Sequence, residues 1–130
     1  MNEIGINLKL RDTIFNDKNE EIKIMREPLK NLSDNIAKAN DLFYELNTRI
    51  DTVIGILDKT LRQQGMQADA VSIECIPLNK KIIFLLHDAK PTQVDIALGN
   101  REGDISSSSQ CLITDLNVEK IVEYMTDYFK

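Results

Sequence analysis

One histidine, two cysteines and a run of four serines are the residues of this chain best suited to nucleophilic or acid–base chemistry. His87 is followed directly by Asp88, the one place where a histidine meets a carboxylate. With Ser106–Ser109 or Cys111 as nucleophile, that pair would make a Ser/His/Asp or Cys/His arrangement. Adjacent residues of a strand point to opposite faces, however, so Asp88 is badly placed to orient its own neighbour. The expected role of His87 is a polar, partly buried group at a strand end, and no catalytic residue is assigned.

Metal chemistry finds no better footing. A single His and two Cys 36 positions apart, Cys75 and Cys111, match none of the zinc spacings, and no Asp-x-Asp-x-Asp calcium loop occurs. Asp41 and Glu45 stand four apart but lack a histidine partner, which reads as a solvated helix face. Neither a metal nor a cofactor is implied. Gly99-Asn-Arg-Glu-Gly103 holds two glycines and a cation, yet it lacks the Gly-Lys-Ser/Thr end of a P-loop. A turn between strands explains both glycines through their tolerance of positive φ.

The stretch Asp104-Ile-Ser-Ser-Ser-Ser-Gln-Cys-Leu-Ile resembles the Asp-x-Ser-x-x-Gly segment of PilZ cyclic-di-GMP receptors. Ser109 stands where the glycine belongs, no suitable Arg-x-x-x-Arg precedes it, and too few residues follow for the rest of that barrel, so the resemblance is rejected. The plain expectation is a hydroxyl-rich polar loop over 99–110 that serves as a binding edge, with Arg101, Glu102, Asp104, Ser107 and Ser108 as the partner-contacting residues. A small-ligand or nucleotide site in the same loop is the alternative.

The composition narrows the function classes. The chain has 130 residues, 42% hydrophobic and 28% charged, which is enough for a real core. Its net charge of -5 argues against a nucleic-acid or anionic-membrane surface, since phosphate binding needs a concentrated positive face. No window approaches the ~20 apolar residues of a membrane span, and no export signal is visible at the start. A cytoplasmic setting with Cys75 and Cys111 as free thiols follows.

The elements that must position these residues begin with an apolar ladder: Leu29, Leu32, Ile36, Ala39, Phe43, Leu46, Ile50, Val53 and Leu57. Its steps of three and four predict one helix over 28–64, roughly 55 Å long at 1.5 Å per residue, stopped by Gly65. That length exceeds the width of a small domain. The narrow first half, Leu29, Leu32, Ile36, Ala39 and Phe43, is therefore expected to form a coiled-coil-like seam in a homo-oligomer, most simply a dimer. The second half, with a wider apolar face, is expected to cover the core. Before it, residues 1–27 read as an extended segment near 3–11, where Ile4, Ile6, Leu8 and Leu10 alternate with Gly5, Asn7 and Lys9, and a short element over 22–25.

Residues 70–130 form the α+β body. Strands are expected over 71–76, 81–87, 93–98 and 111–114, joined as an antiparallel meander of three to four strands. Its closing helix has a core face of Val118, Ile121, Val122, Met125 and Tyr128/Phe129, with Asp115 or Asn117 as cap. In bulk properties the chain is similar to type III secretion chaperones, and its element order is similar to the YbaB family; no residue-level motif carries either resemblance. The expectation is a non-enzymatic module that self-associates and binds, sequesters or inhibits a protein partner.

Overall fold

The ladder is read by one helix and then abandoned. In the computed structural model, which describes residues 26–47 and 50–130, α1 (Glu27–Leu46) ends eighteen residues short of the expected Gln64. The strand expected near 3–11 and the short element over 22–25 fall outside the described residues. Pro28 sits in the first turn of α1, where its missing N–H costs nothing. The helix closes with the Asn47 N–H donating to Phe43 O at 2.8 Å.

Beyond it, Thr52–Leu57 is a strand, β1. Five of the seven residues 50–56 are β-branched, and the other two are Asp51 and Gly55. β-Branched side chains lose χ1 freedom in a helix and suit a pleated surface. The Thr52 hydroxyl donates to Asn40 Oδ1 and fixes the reversal from α1 into β1. A short helix, α2 (Lys59–Gln63), follows, with the Asp58 carboxylate accepting the Lys59 N–H at 2.8 Å. Gly65 does adopt positive φ (89°), but it ends α2 and not a long helix.

The remaining strands are β2 (Ala68–Cys75), β3 (Lys80–His87), β4 (Gln93–Gly99) and β5 (Ile105–Leu112), and α3 (Val118–Tyr128) closes the chain. All neighbours pair antiparallel in the order β1-β2-β3-β4-β5. The α+β class and the meander stand, with five strands in place of three to four. The fifth is β1, taken from the expected helix, and β5 starts at Ile105, ahead of the expected Cys111. At the β4–β5 hairpin a Cβ on Gly99 would lie 2.1 Å from Asp104 O, so only glycine permits the close approach beside the bulge there.

One face of the sheet carries the core. Val71, Ile73, Ile82, Phe84, Val94 and Ile96 are all buried there. α1 and α3 cover them; Phe43 meets Phe129 edge-on with ring centroids 6.1 Å apart. The cap of α3 is Asn117, whose side chain accepts the Lys120 N–H at 2.8 Å. Its far end is tied down by Tyr128, which donates to Gly99 O at 2.8 Å, and by Lys80, which donates to Tyr128 O at 3.0 Å.

The residues expected to form an intermolecular seam are the inner stripe of α1. Leu29, Leu32, Ile36, Ala39 and Phe43 are at most 2% exposed within a single chain. The spacing is correct, but the surface it meets is the chain's own sheet. Self-association through these side chains would require α1 to leave the core. Accordingly, Leu32→Asp or Ile36→Asp, which a seam would turn into a folded monomer, should instead unfold the chain. The milder Ile36→Ala should cost about 2–5 kcal/mol in urea denaturation, with no change in sedimentation.

Candidate functional site

Among the described residues no helix crosses the middle of the outer face of the sheet. Cross-strand register groups its side chains into rows. The middle row is Gly55, Ser72, Ile83, Ala97 and Ser108, and the next is Leu57, Ala70, Leu85, Asp95 and Gln110. Four of the five middle-row residues are small, so the row forms a trough crossing the strands. Leu61 of α2 and Met66 after it stand along one side. Together with Leu57, Ala70, Ile83, Leu85 and Ala97 they line a groove of about 270 Å³. Met66 is 43% exposed and Val53, beyond the trough on β1, is 50% exposed.

Charged groups sit at the ends of the face. At one end Glu74 pairs with Lys81 at 3.5 Å and with Arg101 at 3.6 Å. At the other, His87 Nε2 lies 3.1 Å from Asp95 Oδ2. The partner of His87 is therefore Asp95 on the adjacent strand and not its sequence neighbour Asp88, as strand alternation requires. Ser108 pairs with Ala97, in the row of Ile83, while His87 pairs with Ala68 at the end of β3. Cys111 pairs with Val94 on the core-facing side of β4. The nucleophile candidates thus lie away from the histidine.

Asp88 belongs to a different cluster. Arg62 grips it with two bonds of 2.9 Å, Nη1 to Oδ2 and Nη2 to Oδ1, while its Nε donates to Asp69 Oδ1 at 3.0 Å. Asp69 is only 3% exposed, and Arg26 reaches its other oxygen at 3.8 Å. This network joins the start of α1, α2, β2 and the β3–β4 turn. Hydrogen bonding to Arg62 holds the Asp88 carboxyl below the ordinary carboxylate range, and the two carboxylates raise the guanidinium in turn.

The loop expected over 99–110 is mostly strand. Only five residues, 100–104, make the turn; Ser106–Ser109 lie in β5, where Ser106 donates to Leu98 O at 3.0 Å. Alternation sends Ser107 and Ser108 to opposite faces of the sheet. Arg101 is held by Glu74, Glu102 accepts from Asn79 Nδ2 at 3.1 Å, and the Asp104 N–H donates to Asn100 Oδ1 at 2.9 Å. The five residues are exposed, but the first three are engaged within the hairpin and its neighbouring turn. The expectation mistook a serine-rich edge strand for a loop because serine favours turns locally, whereas pairing with β4 decides the matter.

Among the described residues no group of three or more His, Cys, Asp and Glu side chains is arranged to hold a metal ion, and no helix is long and apolar enough to cross a membrane. Comparison with protein-family models, curated proteins and solved structures found no match.

Two predictions follow from these environments. A carboxyl held low by folding stabilises the fold above its ordinary range and stops doing so as pH falls through its folded value. Arg62→Ala should therefore lower the melting temperature at neutral pH, and the gap to wild type should narrow in strong acid. Loss of the closest donor to buried Asp69 alone should cost about 1–3 kcal/mol. Cys75 is fully buried and Cys111 half-buried, both as free thiols. Burial, with a smaller contribution from Asp115, pushes the Cys111 thiol up. Thiol labelling of the folded chain at neutral pH should modify Cys111 slowly and Cys75 only on unfolding.

Proposed function

We propose that this chain is a protein-binding module whose docking surface is the bare outer face of the sheet. The observation that carries this reading is an asymmetry. α1 and α3 cover one face, while the other presents Leu57, Ile83, Leu85 and Ala97, with Leu61 and Met66 beside them, around an open groove. An apolar patch of this kind on an otherwise charged surface marks an interaction site. Small-molecule sites add several convergent polar groups to their apolar walls. Here Asp95 and Ser108 are the polar residues of the lining, and Asp95 is engaged by His87. An aliphatic segment of a partner protein suits the groove better, its large side chains set between Leu57, Ile83, Leu85 and Ala97.

The reading contains no catalytic step. It retains the expected class, a module that binds, sequesters or inhibits a protein, and moves the contact surface from the hairpin tip to the sheet face. Ile83→Lys and Ala97→Arg place charges in the trough without touching the core. The wild-type chain, immobilised, should retain a discrete partner that both variants lose, while their melting temperatures stay within a few degrees of wild type. Unchanged retention would remove this face from consideration. If the wild type sediments as a dimer that Ile83→Lys converts to monomer, the partner is a second copy of the chain.

A further inference from the structure

The two edges of the sheet differ. β1 is six residues long, mostly half-buried, and bounded by Asp51 and Asp58. β5 is eight residues long, and all of it but Cys111 is exposed. It lies within the longest uncharged run of the chain, 105–114, although 28% of the residues are charged. An open edge is a row of unpaired N–H and C=O groups that recruits further strands, and sheets normally blunt it with lysine, proline or inward charges. β5 carries none of these, and its one irregularity lies at the turn end, opposite Leu98 and Gly99. Among the described residues no strand pairs with its free side.

The ladder with β4 fixes which groups face outward. The Ile113 N–H donates to Thr92 O at 2.8 Å, and residues 113 and 92 continue the register that pairs Leu112 with Gln93. Alternation then turns the backbone groups of Ser109 and Cys111 toward β4 and those of Ser108, Gln110 and Leu112 to the open side. Around Gln110 this outward row is symmetric.

We propose that two copies of this chain join antiparallel along β5, about a two-fold axis normal to the sheet at Gln110. Such an axis keeps like faces together, so each residue meets one of its own parity. Ser108 then lies opposite the partner's Leu112, and Gln110 opposite the partner's Gln110. Each of these pairs exchanges two N–H···O=C bonds, and every outward group of the row is used. A strand that meets its own image suffers from any charge near the axis, because like charges then face each other. The uncharged run removes that penalty. At the axis, two glutamine amides can donate to and accept from one another. The pairing also covers Leu112, 49% exposed in the single chain. An isologous contact of this kind closes at two copies. It leaves the outer face open and does not rest on the docking reading above.

Sedimentation of the full chain tests this. The wild type should run as a dimer at micromolar concentration. Gln110→Lys and Gln110→Glu should each run as a monomer, and mixing the two should restore the dimer, since opposite charges then face across the axis. Ser108→Pro, which removes an outward donor and no bond to β4, should also be monomeric. Circular dichroism and melting should match wild type for all three. Under mild oxidation Gln110→Cys should form a covalent dimer at least tenfold faster than Ser108→Cys, because only position 110 faces itself within disulfide reach. A monomeric wild type, a dimer that survives both Gln110→Lys and Ser108→Pro, mixed Lys and Glu variants that stay apart, or equal linking at positions 108 and 110 would each overturn the proposal. So would a dimer lost in Ile83→Lys but kept in Gln110→Lys, which would place self-association on the outer face. If Ile83→Lys stays dimeric and loses a different bound protein, both readings stand; if Ile83→Lys stays dimeric and retains that protein, the docking reading alone falls.

Discussion

The contact on which the rest of the molecule depends is that of the α1 stripe with the inner face of the sheet. Leu29, Leu32, Ile36, Ala39 and Phe43 lie against Val71, Ile73, Ile82, Phe84 and Ile96 in one continuous cluster that also takes in Ile121, Met125 and Phe129. Each large aliphatic or aromatic side chain buried this way contributes about 1.5–3 kcal/mol, against a net domain stability of about 5–15 kcal/mol. The sheet cannot form a closed hydrophobic unit without the helix. Once α1 is committed inward, its apolar stripe is no longer available to another molecule. Any apolar recognition surface must then be found elsewhere.

That commitment has a geometric consequence. Among the described residues, two helices on one side of a five-stranded meander leave the other side with α2, which is about one turn and a half long and packs against β2. On this face Ala70 and Ser72 of β2 are buried, while Leu57, Ile83 and Leu85 stay half-buried. The polar contacts do not fill the gap either. Arg62 gathers Asp69 and Asp88 at one corner, and Glu74 gathers Lys81 and Arg101 at another. Both networks brace elements at the rim and leave the trough between them apolar.

Much of the architecture can be read from local patterns. The helical spacing from Leu29 to Phe43, the two-sided apolar run Ile82–Leu86, the alternation of Val94, Ile96 and Leu98, and the cap and face of α3 all act within a few residues, and each element forms where its pattern lies. The positive φ of Gly65 was equally legible. The failure came where two periodicities coincide. Leu46, Ile50, Val53 and Leu57 satisfy a helical ladder, but the β-branched composition around them also suits a strand, and pairing of Thr52–Leu57 with β2 decides for the strand. That composition was the signal that would have found it.

What the sequence determined by itself is therefore which stretches are apolar, on which period, and where turns and caps fall, because those depend on side chains near one another along the chain. Only the tertiary structure decided what each apolar face meets. The stripe of α1 reads identically whether its partner is another helix or its own sheet, since periodicity carries no information about the opposing surface. The trough is less visible still: Gly55, Ser72, Ile83, Ala97 and Ser108 come from five strands and become one row only when the register of four antiparallel pairings is set. A one-residue slip would turn each of these side chains to the other face.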